Sequence, residues 1–408
     1  MKRTLLTILV FLIGMTIFAQ GVDLSYYTEE YNKPDATFVE RLEVLEAVRD
    51  ANLSDVGEFY HNALKLMITK LPDIATRPER EAAEASIRIL CEGIGAEMYS
   101  AAAPELWHVV QFFDVIRDVN SGLVMQDALE ALGRVGAKEF VPHIALRLDN
   151  FNTDQTSDVE TKRRYQRAVV GTISALEALH DIAGFTPIFF ASIGWYDPAI
   201  KAIASAALPN IVEDPGEVIS AIIRNPDNPP SVKYEVWREI LRTRAPASSK
   251  AKVAAVALAT GWNYSTAIPN YQRNLREMRM SAIDTIRMYG VEDNSVYANL
   301  EKSYSNNFIN TVPQYDEIRK TVDALSVIKT DEAVNLLLKF LRELHDRRRS
   351  GPWGNKERQI IQLVIPAIGA TKTQSAEVRL LLTTIQRSSD YTGTEQGWAR
   401  NALREMGF

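Results

Sequence analysis

The chain of 408 residues has very few of the side chains that most often carry chemistry or covalent cross-links. Cys91 is its only cysteine, so an internal disulfide is excluded. The five histidines are isolated from one another and no His-Glu-x-x-His motif occurs, so we expect no zinc site. A phosphate-binding glycine loop and a Gly-x-Ser-x-Gly elbow are missing as well. These absences argue against an enzyme, a metal site and a bound cofactor.

Signals for β-strands and for linkers are equally scarce. No run of alternating β-branched residues is bounded by hairpin turns, which favours an all-α class. No Gly/Ser-rich segment or change of composition divides the chain. Residues 149–160 alternate oxygen-bearing side chains as a calcium loop does, but Gln155 stands where such a loop needs glycine. We interpret this stretch as a solvated loop.

Residues 124–144 predict two amphipathic helices that meet at a glycine turn. The first helix carries alanine-leucine pairs at 128–129 and 131–132, and this spacing places them on one face. The pattern recurs at Ala175-Leu176, Ala207-Leu208 and Ala324-Leu325. Turns within such hairpins are predicted near Asn52, Gly95, Gly136, Gly184, Ile211, Ala245, Gly290, Thr330 and Gly369. Successive turns are about 27 to 48 residues apart, which is the size of a two-helix repeat.

One stretch opens with Asp197-Pro198, a β-branched residue and a cation, and then has alanine and leucine one turn apart. In this pattern the aspartate would cap the helix and the proline would fit its first turn. A second copy, at residues 316–319, precedes Ala324-Leu325. These residues resemble the HEAT-repeat family. The resemblance implies a right-handed superhelical solenoid of about nine antiparallel helical hairpins, with scaffolding or partner binding as its usual role and no catalytic residues.

The N-terminus is typical of an export signal, with Lys2-Arg3, an apolar run over residues 5–18 and then Ala19. We predict a signal peptide over 1–19, a single solenoid domain over 20–408 and a periplasmic or secreted location. An uncleaved membrane anchor is the alternative, although the apolar run is short for a spanning helix. Removing the signal changes the formal charge from -6 to about -8. An exported acidic chain is a poor candidate for binding nucleic acid.

Long segments between hairpins are predicted at 149–162, 224–231, 261–275, 304–315, 345–356 and 388–397. They are rich in aromatic residues and arginine, the types that contribute most to recognition. As a contact surface for a protein partner we predict Trp262, Tyr264, Tyr271, Arg347, Arg348, Arg349 and Trp353. The alternative is that the rings fold back over helix ends and cover the core. Arginines at 273, 276 and 279 fit one solvent-facing helix stripe.

Two classes of function remain from the sequence. The first is an exported, noncatalytic scaffold that binds a protein along the solenoid or its aromatic loops. The second is a carbohydrate-binding or carbohydrate-acting α/α-toroid, in which aromatic loops stack on sugars. A carbohydrate-acting enzyme needs two opposed carboxylates about 5 to 10 Å apart. Asp154, Asp158 and Glu292 are the candidates, but they lie in unrelated predicted loops, so the scaffold is favoured.

Overall fold

A computed structural model describes residues 23–113, 119–309, 314–351 and 353–408. All regular secondary structure in these ranges is helical, which confirms the all-α class. The predicted signal peptide over 1–19 lies outside the described residues. Among the described helices, none combines the length and the apolar character that crossing a membrane requires.

The described chain forms two compact units, one ending at Val212 and the other comprising Glu213–Phe408. The helices of the first unit are α1 (Leu24–Tyr31), α2 (Phe38–Ala51), α3 (Gly57–Lys70), α4 (Arg77–Ala96), α5 (Ala103–Phe112), α6 (Val119–Arg134), α7 (Val141–Thr153), α8 (Val159–Leu179), α9 (Phe185–Ile193) and α10 (Pro198–Ile211). Those of the second are α11 (Gly216–Arg224), α12 (Pro230–Arg242), α13 (Ala247–Asn263), α14 (Pro269–Tyr289), α15 (Ser295–Ile309), α16 (Tyr315–Ile328), α17 (Asp331–Ser350), α18 (Asn355–Thr371), α19 (Ala376–Arg387) and α20 (Gly393–Glu405).

Helix ends explain why the turns fall where the sequence places them. Asn52 ends α2 in the left-handed conformation, and Gly290 ends α14 with φ 93°. Gly136, with φ 73°, follows α6, so its lack of a Cβ suits the turn that leads into α7. Each of the nine predicted turn positions lies at a break between helices or within a few residues of one. The helical periodicity therefore predicted the breaks well.

Asp197 shows a departure from the expected capping pattern. It is the N-cap residue of α10 and Pro198 occupies the first turn, but the Asp197 carboxylate makes no capping hydrogen bond. It accepts hydrogen bonds from Lys162 and Gln166 of α8 instead. These hydrogen bonds, that of Lys162 first, lower the pKa of Asp197. The residue predicted as a local cap thus ties two helices together.

In the first unit the even-numbered helices form one row, in which α2 contacts α4, α4 contacts α6, α6 contacts α8 and α8 contacts α10. In a second row α3 contacts α5 and α7 contacts α9, and consecutive helices such as α7 and α8 join the rows. Helices α6 and α8 approach closely: a Cβ added at Gly171 would lie 2.6 Å from the Gln126 Cα. Such a distance leaves no room for a side chain, so glycine is required there.

The second unit has the same internal arrangement. Helices α12, α14, α16, α18 and α20 form one row, and α11, α13, α15, α17 and α19 form the other. The alanine-leucine stripe of α16, Ala324 and Leu325, is fully buried, as are the pairs at 128–129 and 175–176 in the first unit. Each buried leucine contributes roughly 1.5 to 3 kcal/mol, which holds adjacent helices together. The predicted apolar faces are confirmed as core.

Polar side chains also join neighbouring helices within each of the two rows of the second unit. The partners are 35 to 38 residues apart in sequence, close to the predicted repeat length, and are Arg279 with Glu317, Lys320 with Asp284, Lys339 with Glu301, and Arg342 with Glu377. Most are surface pairs, which contribute at most about 1 kcal/mol each. Arg279 and Glu317 differ because both are mostly buried, with side chains 11% and 0% exposed.

Candidate functional site

The seven residues predicted as a contact surface lie in two clusters of the second unit. Trp262, Tyr264 and Tyr271 lie at the junction of α13 and α14. Residues 347–349 and Trp353 lie at the C-terminal end of α17 and just after it. Both clusters contact the last two turns of α15, through Ser303 in the first case and Phe308 in the second.

The segments expected to be long loops are shorter than the sequence predicts. Helix α17 continues to Ser350, and α15 continues to Ile309. The reason is that aromatic residues in these segments extend the apolar face of a helix: Tyr304 and Phe308 are fully buried, and Phe151 is 8% exposed. These rings belong to the core, as the alternative interpretation of the aromatic residues expects.

In the second cluster Arg348 is held on several sides. Its guanidinium lies 4.6 Å from the ring centre of Trp353 and 5.5 Å from that of Tyr391. Its Nε donates to the carbonyl of Asp390 at 2.5 Å. The Arg348 side chain is only 14% exposed, so its guanidinium interacts mainly with groups of the protein itself. Arg348 thus holds the loop between α19 and α20 against the end of α17.

The neighbouring side chains complete this packing. Arg347 lies over the ring of Phe308 at 4.4 Å, while Arg349 is exposed. The Tyr391 hydroxyl is 2.8 Å from His345 Nδ1. Burial raises the pKa of Tyr391 and lowers the pKa of His345, so we assign the hydroxyl as donor and the neutral imidazole as acceptor. These contacts describe a packed helix end.

The first cluster contains a fixed tryptophan. The Trp262 indole N–H donates to Ser303 Oγ at 2.7 Å, and the ring lies 3.9 Å from the Arg279 guanidinium. Arg279 in turn binds the Glu317 carboxylate through Nε at 2.7 Å and Nη2 at 3.0 Å. Its Nη1 donates to the carbonyl of Gly261 at 3.0 Å. The indole is therefore held in one orientation before any ligand binds.

Tyr264 and Tyr271 flank this tryptophan. Tyr264 follows the last residue of α13, and its ring centre is 5.8 Å from Lys233 Nζ. Lys233 is 1% exposed, and its ammonium donates to the carbonyls of Ile223, at 2.6 Å, and of Asn225. Since these carbonyls lie at the end of α11, Lys233 caps that helix. Tyr271 lies half-buried in the first turn of α14.

A cleft of about 620 Å³ opens beside Trp262. The helices that form it are the end of α13, the first half of α14 and the end of α15. Its lining includes Trp262, Tyr264, Gln272, Arg276, Arg279, Asn306, Asn307 and Ile309. The cleft thus combines two aromatic side chains, guanidinium groups, side-chain amides and an isoleucine that is 72% exposed.

Arg276 differs from Arg279, although both lie on α14 and line the cleft. Its nearest carboxylate is that of Asp316, 3.9 Å from Nη2, and Asp316 is itself 79% exposed. Arg276 Nε is buried, yet it has no hydrogen-bond acceptor among the described residues. The guanidinium therefore keeps an unused donor and an incompletely neutralised charge at the wall of the cleft.

The sequence identified the tryptophan of this cleft but missed its arginines. A solvent-facing stripe is predicted for Arg273, Arg276 and Arg279, whereas the structure leaves only Arg273 exposed. Helical spacing alone does not show which face a neighbouring helix covers. The sequence does contain one signal for the partners of these arginines, the acidic pair Asp316-Glu317. It lies about one repeat length after Arg276 and Arg279 and can therefore pair with them.

No group of three or more His, Cys, Asp or Glu side chains suited to holding a metal ion is found within the described ranges. Cys91 is buried, and its burial raises its pKa, so its thiol stays protonated. In comparisons with known proteins, no family model and no curated protein matches this chain.

Proposed function

We propose that this protein is a noncatalytic scaffold that binds an extended segment of a partner protein in the cleft beside Trp262. The observation that carries the proposal is the fixed orientation of Trp262, held by Ser303 and Arg279 at the wall of the cleft. Tryptophan and arginine provide most of the binding energy at protein interfaces, with hot spots of about 2 kcal/mol or more. A side chain that is already ordered loses less entropy on binding, which favours affinity.

The amide groups of the cleft suit a peptide backbone. Gln272, Asn306 and Asn307 all line it. Gln272 and Asn307 each donate one hydrogen bond within the protein, to the carbonyls of Thr266 and Ser303, whereas the exposed Asn306 presents both donors and an acceptor. The amide groups of an extended peptide present the complementary N–H and C=O groups. A cleft of this composition can therefore hold the main chain while Trp262 contacts a side chain.

We also propose that each unit is an α-solenoid of HEAT-like hairpins. The two rows of helices within each unit and the polar pairs 35 to 38 residues apart support this proposal. The right-handed superhelix, the number of about nine hairpins and the single domain over 20–408 stay predictions. So do the signal peptide and the periplasmic or secreted location.

Site-specific photo-crosslinking tests the proposed binding role. Benzoylphenylalanine is introduced at Ile309, which lines the cleft and is 72% exposed, or at Leu380, which is 70% exposed on α19 and is not part of the cleft lining. In the native host we expect the Ile309 probe, but not the Leu380 probe, to crosslink one reproducible protein. Trp262→Ala should abolish the crosslink in a chain that still folds. Equal labelling from both positions would contradict the proposal.

A glycan is the second candidate ligand, because Trp262 lies beside amide groups that can bind sugar hydroxyls. Titration with soluble cell-wall oligosaccharides, followed by tryptophan fluorescence, tests this alternative. Saturable quenching that Trp262→Phe reduces, together with no crosslinked protein, would favour the glycan.

A further inference from the structure

Two arginines of α14 face two acidic residues at the start of α16, and only one of the two pairs forms hydrogen bonds. Arg279 and Glu317 form two hydrogen bonds, of 2.7 and 3.0 Å, through the Nε and Nη2 edge of the guanidinium. Arg276 and Asp316 are 3.9 Å apart at their nearest charged atoms. A separation of 3.9 Å is too long for a hydrogen bond.

Because Asp316 forms no hydrogen bond with it, the Arg276 guanidinium keeps the capacity to bind another carboxylate. Its Nε is buried and has no acceptor among the described residues, so a ligand has to bind the Nη groups at the end of the guanidinium. Arg279 holds Glu317 through Nε and Nη2, whereas on Arg276 the accessible edge for a carboxylate is that of Nη1 and Nη2.

Formal charge differs between the two parts of the chain. Residues 213–408 contain 27 Lys and Arg against 23 Asp and Glu, a formal net charge of +4. Residues 1–212 contain 19 against 29, a net charge of -10. The cleft thus lies in the part of the chain with a positive formal charge, which favours association with a negative ligand.

We infer that the cleft selects an acidic peptide segment, with Arg276 binding the carboxylate of an aspartate or glutamate of the partner. This inference rests on the proposed function, because it specifies the chemistry of the segment bound beside Trp262. One incompletely neutralised guanidinium matches the single charge of a carboxylate, whereas a phosphate carries about two charges at neutral pH. The bound carboxylate would accept a pair of charge-assisted hydrogen bonds from Nη1 and Nη2 of Arg276.

Selection from a random dodecapeptide display library against the full chain tests this inference. We expect enriched peptides to share an aspartate or glutamate at one position. For the best peptide, made synthetically, replacing that residue with its amide should raise Kd about tenfold or more, in line with a lost charge-assisted hydrogen bond. Fluorescence anisotropy of labelled peptides measures both values.

Two variants test whether Arg276 is responsible for the preference for an acidic peptide. Arg276→Gln should bind the acidic peptide and its amide version with equal Kd, while Arg273→Gln, on the exposed side of α14, should keep the tenfold difference. Thermal melts confirm that both variants fold. Enriched peptides without an acidic position would overturn the inference and leave the proposed function standing, as would an unchanged preference in Arg276→Gln. A library that yields no binder would count against both, and tighter binding of a phosphoserine peptide would overturn the carboxylate assignment.

Discussion

The pair of Arg279 and Glu317 allows a quantitative prediction. Glu317 is 0% exposed and accepts two hydrogen bonds from Arg279, whose side chain is 11% exposed. Breaking a buried ion pair by removing one partner costs about 3 to 5 kcal/mol, because the other charge stays buried. In Glu317→Gln the amide oxygen still accepts one hydrogen bond, and the Gly261 carbonyl still binds Arg279. We therefore expect a loss near the lower limit, about 3 kcal/mol.

Hydrogen exchange followed by mass spectrometry measures this loss where it occurs, in peptides from α14 and α16. Urea unfolding followed by circular dichroism gives the effect on the whole chain. A double variant, Arg279→Met with Glu317→Leu, should be at least about 1 kcal/mol more stable than Glu317→Gln, because no unpaired buried charge remains.

The matched control is Asp284→Asn, which removes a partner of Lys320 in the same pair of helices. Asp284 and Lys320 are 37% and 31% exposed, so we expect a cost below about 1 kcal/mol. A cost of less than 1 kcal/mol for Glu317→Gln, or an equal cost for the two variants, would refute the reasoning.

Four further substitutions test other parts of the structure. Gly171→Ala should lower stability by about 1 to 3 kcal/mol in a thermal melt, because the new Cβ would overlap Gln126. Gly397→Ala, in α20, should raise stability by about 0.5 to 1 kcal/mol, because nothing lies within 4 Å of the new Cβ. The opposite order of the two stabilities would disprove the close packing at Gly171. Lys233→Met should cost about 1 to 3 kcal/mol by leaving two carbonyls at the end of α11 without a donor, and unchanged urea unfolding would show that Lys233 is no cap. Burial raises the pKa of Glu239, so its ionised form is penalised in the folded state and stability is lost as pH rises from the unfolded pKa through the folded one. The melting temperature of Glu239→Gln, relative to that of the original chain, should therefore be higher at pH 8 than at pH 4, and a pH-independent difference would exclude this effect.

The sequence predicted most of the local structure of the described residues because helices leave strong periodic signals. Alanine-leucine pairs such as 324–325 are buried as expected, and breaks occur near the predicted turns. Helix length was harder to predict. The ends of α15 and α17 were expected to be loops, since aromatic and charged residues occur there, but Tyr304 and Phe308 face the core. Whether an aromatic residue lies in the core depends on the neighbouring helix.

The candidate site could be predicted only in part for the same reason. Trp262 was identified by its residue type, and the structure adds its hydrogen bond to Ser303 and its position over Arg279. The different environments of Arg276 and Arg279 depend on the register between α14 and α16. That register is set by packing along the whole row, so the spacing within one helix contains no information on it.

Within each unit, helices pack against the next one or two in the chain, and this has a consequence for folding kinetics. Contacts between residues close in sequence require little loop-closure entropy, so a chain rich in them has a low relative contact order and reaches its transition state quickly. We expect single hairpins to form in microseconds to milliseconds and the longer array to fold through partly folded intermediates, faster overall than a β-sandwich of similar size. Under a pulling force, neighbouring helices should detach a few at a time, which would appear as a series of small extension steps.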